Sequence, residues 1–371
     1  MIHNLLIIVT AVPFTESDFE RFEVEHLKKY IDVKVLDISR LINPTLSKSS
    51  GGLLSKYEAI TKIQTLKNLF TFLKNVKENI PNAVFMNFVQ LTNFNSLIFN
   101  SQLKLLNLTY ISFINSGVPG DSFKKEYSIF LKIYLRIRDR GLHSFFTLVY
   151  FFLIKRLNSL LKNDPDYLFV SGDKNTQLIK NVDIKKTKFL KGSSWDCSRY
   201  YRIRESNEII NEEGEFIVLL EGITPFKKGD ALAENNKQSF TPEKWFPSIC
   251  KFLDMLEEVL GCDTTVAAHP KSHHKDRPNY LGLRKVTFNS TFELINHSKL
   301  VIGRNSAALS MAVLMNKPII TIYNNELQKN ESDIRSITTF AKEMGVNSVN
   351  IDQNYSNLEI SNLIKLNKSK Y

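Results

Sequence analysis

The chain has 371 residues, 43% of them hydrophobic and 23% charged. That length and balance suggest about two globular domains and exclude disorder, collagen and coiled coil as descriptions of the whole chain. Lys and Arg number 49 against 38 Asp and Glu, a formal +11, so an anionic partner is expected: nucleic acid, a membrane surface or a charged small substrate.

Cys197, Cys250 and Cys262 are odd in number and scattered. They make neither a disulfide framework nor a Cys-x-x-Cys metal pair, and the cytosol is the expected compartment. Residues 1–13 lack a basic leader region and read as a buried first strand rather than a signal peptide. The longest apolar run, 145–154, falls short of the ~18 residues of a membrane-spanning helix.

In chain order, residues 4–12 form a continuous apolar run of the kind buried on both faces of a parallel sheet. Ser17-Asp-Phe-Glu20 has capping-box spacing, and Phe19, Phe22, Leu27 and Tyr30 follow at helical spacing. A short strand is predicted at 33–38, which makes the opening a strand–helix–strand crossover. A polar loop over 43–52 leads to a helix predicted over 55–79. Strands at 83–88, 108–113 and 166–170 continue an alternating α/β half. Asp164-Pro165-Asp166 precedes a strand and reads as a turn, not a metal motif.

Residues 192–214 are polar and read as the connection between halves. The second half opens with a strand at 216–220. Thr241-Pro-Glu starts a helix carrying Trp245, Phe246, Ile249, Phe252, Leu253 and Leu256 on one face, and Gly261 stops it. Strands follow at 264–268, 299–303 and 319–323. Ser290-Thr-Phe-Glu293 has capping-box spacing, and a helix is predicted over 306–315. The predicted fold class is α/β, with two Rossmann-like domains facing a central cleft and spanning 1–195 and 196–371.

Segment 124–162 interrupts the pattern. It holds nine basic residues against Glu126 and Asp139, a surplus of seven, together with the aromatic run 145–154. Nucleic-acid signatures are missing. The composition fits a segment lying in an anionic headgroup layer, with a core helix bearing one charged face as the competing reading.

Open parallel sheets bind ligands at the carboxyl ends of their strands. Three such ends in the second half carry polar groups: Glu221-Gly222, His269-Pro270-Lys271-Ser272 and Gly303-Arg304-Asn305-Ser306. The last leads through Ala307 and Ala308 into a predicted helix. Backbone N–H groups there, the Ser306 hydroxyl and the Arg304 cation suit a phosphate. His269 is placed to donate to a phosphate leaving group. Glu221 or Asp230 is placed to take a proton from an acceptor hydroxyl. His273, His274 and Lys275 are expected to face solvent, and no residues have metal-ligand spacing.

Leu219-Leu-Glu-Gly222, Phe226 to Asp230, Ala267-Ala-His-Pro-Lys-Ser272, Ser290-Thr-Phe-Glu-Leu294 and Asn305-Ser306 followed by Asn316-Lys-Pro318 occur in one order. In this the second half resembles the nucleotide-sugar domain of GT-B glycosyltransferases from bacterial surface polysaccharide clusters, over about residues 216–325. The His-Pro and serine motifs are similar to those of sialyltransferase-like enzymes that use CMP-activated sugars. The opening stretch 12–22 also resembles proteins of such clusters.

The resemblance implies phosphate contacts from His269 and Ser306, a general base at Glu221, and neither metal nor cofactor. Pro270, Lys271, Ser272, Ser290, Thr291, Arg304, Asn305 and Ala307 would complete the nucleotide-sugar site. Leu220 and Asn305 depart from the family pattern: Leu220 stands where the first acid of its acidic pair would be, and its serine pair appears as Asn305-Ser306. The implied donor is a CMP-linked nonulosonic or related keto-sugar. The implied acceptor is a lipid-linked or surface glycan of lipopolysaccharide or capsule synthesis, at the inner face of the cytoplasmic membrane. Two alternatives stand beside this: a UDP-sugar transferase or UDP-sugar 2-epimerase-like enzyme, and a non-catalytic membrane-associated scaffold.

Overall fold

The structure, a computed structural model, describes residues 5–14, 18–19, 22–44, 60–114, 142–171, 186–205, 214–222, 225, 240–269, 272, 274 and 278–367. The described residues up to Gly192 form one compact unit, and those from Ser193 onward form a second.

In the first unit the strands are β1 (Leu5–Thr10), β2 (Asp32–Asp37), β3 (Ile60–Lys62), β4 (Val84–Asn87), β5 (Thr109–Ile114), β6 (Tyr167–Ser171) and β7 (Lys188–Gly192). They pair in parallel, in the order β3-β2-β1-β4-β5-β6-β7. Its helices are α1 (Val24–Leu27), α2 (Ser39–Ile42), α3 (Leu66–Asn79), α4 (Phe94–Leu105) and α5 (Leu142–Leu160).

The second unit begins with α6 (Trp195–Glu205), β8 (Phe216–Glu221), α7 (Pro242–Leu260) and β9 (Thr264–Ala268). It continues through β10 (Lys285–Phe288), α8 (Thr291–Asn296), β11 (Ser298–Gly303), α9 (Leu309–Leu314) and β12 (Ile319–Tyr323). It ends with α10 (Asn325–Gln328), α11 (Glu331–Met344), β13 (Asn347–Asn350) and α12 (Asn357–Asn367). Its sheet is also all parallel, in the order β10-β9-β8-β11-β12-β13. Both units are therefore Rossmann-like. Each has one reversal of strand order, at β1/β4 and at β8/β11.

The continuous apolar runs follow from burial on both faces. Alternate side chains of a strand point to opposite sides. Ile217 and Leu219 of β8 pack with Trp245, Phe252 and Leu256 of α7. Val218 and Leu220 pack on the other face with Phe292, Leu309 and Ala312. In the first unit Leu5, Ile7 and Val9 meet Leu69, Leu73 and Phe99, while Ile8 meets Phe14, Phe19 and Val35.

Several expectations change. The helix expected over 19–30 is not continuous: among the described residues Asp18 and Phe19 are helical, and α1 follows after Glu23, which sits in the left-handed region at φ 51°. Phe22 stacks on Phe14 and packs at a tilt against Phe88. The helix expected from residue 55 starts at Leu66, where Thr65 accepts the Asn68 N–H; Ile60–Lys62 pairs with β2 as a strand. The polar stretch after Gly192 contains α6, which packs on α9 and anchors it through a Ser310–Asp196 hydrogen bond of 2.9 Å. The helix expected over 306–315 is shorter. Ser306 to Ala308 form a turn, with Leu309 N–H bonding the Ser306 carbonyl, and α9 begins at Leu309. The first capping box falls at residues 17 and 20, outside the described residues.

At the carboxyl end of the first sheet, polar groups satisfy one another. The Asn87 amide donates to Asn100 at 3.0 Å and accepts the Val89 N–H at 2.9 Å. Asn93 and Asn95 each donate to α2 carbonyls at 2.8 Å.

The β8–β11 contact is tight where the second sheet is entered. A Cβ placed on Gly214 would lie 1.9 Å from the backbone carbon of Ser298, and backbone cannot move aside as a side chain does. Gly214→Ala is expected to cost at least the ~1–3 kcal/mol of core overpacking in urea unfolding. Gly261→Ala, at a left-handed helix cap with open space around it, should cost only about 1 kcal/mol. Equal losses at the two sites would count against this packing.

Candidate functional site

The carboxyl ends of β8, β9 and β11 lie side by side around the strand-order reversal of the second sheet. The His269 N–H bonds the Glu221 carbonyl at 2.9 Å, which ties the end of β9 to the end of β8. Across the reversal, Arg304 Nη2 is 3.2 Å from Glu221 Oε1. Two of the site candidates of the sequence thus meet each other.

Both partners are buried. The Glu221 side chain is 1% exposed and that of Arg304 is 9%. The Arg304 guanidinium carbon lies 4.7 Å from the ring centres of both Phe240 and Trp245. Thr241, between those rings, is fixed because its N–H and hydroxyl donate to Glu326 of α10 at 2.8 and 2.9 Å. Gly222 leaves the space the pair needs, since a Cβ there would sit 3.1 Å from Arg304 Nη2.

Burial raises the Glu221 pKa from 4.5 to about 7, against the lowering effects of Arg304 and of the Trp245 indole N–H. Glu221 Oε2 and Trp245 Nε1 are both buried without a well-formed hydrogen bond, so the indole helps by proximity more than by alignment. Burial also pulls the Arg304 pKa down, while Glu221 and then Asp333 push it up.

Glu221 and Arg304 are thus buried against each other at the ends of β8 and β11. His274 corrects an expectation. It was expected to face solvent, but it is buried, packs edge-on against Phe246 at 5.9 Å, and has its pKa lowered by burial and by Arg304.

The remaining candidates divide by exposure. His269, Asn305 and Ala307 are exposed, and Ser306 and Thr291 are half-buried. The Ser306 hydroxyl accepts the Ala308 N–H at 3.3 Å. Ser272 and Ser290 have buried hydroxyls with no hydrogen-bond partner among the described residues. Ser290 therefore does not form the expected capping box; it precedes α8 without a side-chain cap, and Glu293 turns toward Arg199 at 3.9 Å. Pro270, Lys271, His273, Lys275 and Asp230 lie outside the described residues. Sequence reasoning placed Trp245 in a helix core and passed over Phe240. Their role around Arg304 had no local signal, because the contacts cross about 60 residues of chain.

No family model matches the chain, and no curated protein matches it. Solved structures similar to it along most of its length include a UDP-GlcNAc 2-epimerase from Methanocaldococcus jannaschii, at 12% identity and TM-score 0.49, covering 99% of this chain and 94% of that one. The S. aureus MnaA–UDP co-structure follows at 14% and 0.48, covering 99% and 90%. Acinetobacter baumannii MurG follows at 9% and 0.44, covering 98% and 90%. The fold class rests on the two parallel sheets of the chain itself.

A separate depression of about 440 Å³, lined in part by Lys28, Asp32, Lys34 and Asn79, opens at the amino ends of β1 and β2. Open parallel sheets bind ligands at the opposite end.

Two outcomes test the buried pair. Arg304→Ala leaves the Glu221 carboxylate without its counter-charge and is expected to cost about 3–5 kcal/mol at pH 8. The double change Glu221→Leu with Arg304→Met should be far milder. Folded Glu221 keeps its proton to about pH 7 while the unfolded group loses it near 4.5. Its contribution to stability is therefore full below 4.5 and is lost as the pH rises to about 7. The stability of the wild type relative to Glu221→Gln should fall across that window and level off above it. A difference between the two proteins that does not change with pH would overturn the assignment.

Proposed function

We propose that the chain is a glycosyltransferase of GT-B type that binds a nucleotide sugar at the carboxyl end of its second sheet. The observation that carries the reading is the arginine buried at the β8/β11 reversal, with His269, Asn305 and Ser306 reaching solvent around it. Glu221 and the rings of Phe240 and Trp245 hold the Arg304 guanidinium beneath these strand ends. The buried, unspent hydroxyls of Ser272 and Ser290 offer further donors at the same end of the sheet.

In this reading an acceptor hydroxyl oxygen attacks the anomeric carbon of the donor, and the bond from that carbon to the phosphate oxygen breaks. His269, the Ser306 hydroxyl and the backbone N–H of Ala307 receive the departing charge. Glu221, whose pKa burial raises to about 7, or Asp230 takes the acceptor proton. Thr291, Pro270, Lys271 and Asn305 complete the contacts to the nucleotide sugar. In this reading the transfer uses neither metal nor cofactor. The similarity of the His-Pro and serine motifs to sialyltransferase-like enzymes favours a CMP-linked nonulosonic or related keto-sugar as donor. The acceptor is then a lipid-linked or surface glycan of lipopolysaccharide or capsule synthesis, met at the inner face of the cytoplasmic membrane.

Thermal shift with CMP, UDP and GDP tests the donor. A nucleotide at 100 times its dissociation constant adds about 2.7 kcal/mol of stability, and CMP is expected to stabilise most. Stabilisation by UDP alone would replace the donor and favour the UDP-sugar enzyme. No response to any of the three would sink the reading and leave a scaffold. His269→Ala and Ser306→Ala should each weaken transfer, and Asp230→Asn should lower kcat with little change in donor affinity.

A further inference from the structure

We infer that α5 docks the chain onto an anionic lipid surface through a stripe of exposed apolar side chains. Phe146, Val149, Tyr150, Leu153, Leu157 and Leu160 recur at i, i+3, i+4, i+7, i+11 and i+14, which places them on one face of the helix. All six are exposed, Phe146 to 66% and Leu160 to 63%. Ile154, one turn after Tyr150 at the edge of this stripe, is 2% exposed, so the helix is held to its own unit along that edge. The rest of the stripe does not serve the core. Phe152, 69% exposed, widens it. The Tyr150 hydroxyl accepts the Phe94 N–H at 3.0 Å, and exposed Phe94 extends the apolar surface onto the start of α4.

Charge selects the occupant. Between Leu142 and Asn163 there is no acidic residue, while Lys155, Arg156 and Lys162 are exposed. The preceding stretch from 124 to 141 adds six basic residues against two acidic ones. A second copy seated on this face would bring like charges together. An anionic headgroup layer neutralises them and takes the apolar side chains into the acyl boundary. α5 is 19 residues with Lys155 and Arg156 inside its last third, and no described helix is long and apolar enough to cross a membrane. The helix would therefore lie in the surface plane.

This deepens the proposed function by naming the surface that meets a lipid-linked acceptor. Its test uses neither donor nor acceptor, so it fails or stands apart from the transferase reading. The full chain is sedimented with vesicles of phosphatidylcholine alone and of phosphatidylcholine with phosphatidylglycerol. The wild type should pellet with the anionic vesicles and be released at about 1 M salt, where the Debye length is about 3 Å. Phe146→Ser, Leu153→Ser and Leu160→Ser combined should reduce binding by at least about tenfold while leaving circular dichroism and the urea midpoint unchanged, since all three are exposed. Arg156→Glu should weaken binding to anionic vesicles only. Wild-type binding that the triple variant retains, or no binding by the wild type, overturns the inference. So does a wild-type dimer in light scattering that the triple variant turns into a monomer, which would assign the stripe to a second copy.

Discussion

One buried ion pair organises the second unit. Glu221 closes β8 and Arg304 follows β11, and the two strands flank the single reversal of strand order in that sheet. Taking two charges out of water is costly, and their attraction repays that cost only with good geometry and added partners. Here the added partners are the faces of Phe240 and Trp245, which favour a cation above them. The consequences spread outward from the pair. Gly222 has no side chain where one would crowd the guanidinium. Thr241 is tied to Glu326, which fixes the rings. His274 is buried next to a cation and so favours its neutral form.

The two units share a strand plan but not its use. At the carboxyl end of the first sheet, asparagine amides and helix carbonyls consume one another's hydrogen bonds. At the same end of the second sheet a charge is sealed below the surface, and two serine hydroxyls have no partner among the described residues. A fully satisfied network rigidifies, while unspent donors beside a cation are what an anionic ligand recognises. The first unit contributes a different surface, the apolar stripe of α5, whose exposure has no role in its own packing.

Much of the fold was legible because burial on both faces leaves a mark in the chain. β9 and β12 fall where the apolar runs predict them, at 264–268 and 319–323, and α7 shows its amphipathic face, its proline start and its glycine stop. The strands that went unread are β3, β7, β10 and β13, of three to five residues each. Their stability comes from pairing with a neighbour, and lysines, or asparagines in β13, interrupt their apolar pattern. The capping-box spacing at Ser290 was real in sequence and unused in structure, because Glu293 turns to Arg199.

The sequence by itself determined the α/β class, the two halves and the three strand ends where polar residues gather, since periodicity and strand-end composition are local properties of the chain. Only the tertiary structure decided what those polar residues do. That Glu221 and Arg304, 83 positions apart, neutralise each other depends on β8 and β11 lying side by side, and parallel pairing across a crossover leaves no spacing in sequence to read. For the same reason the aromatic run of α5 could be a core helix or a surface helix until its neighbours were known. Periodicity shows which residues share a face, and only packing shows whether that face is covered.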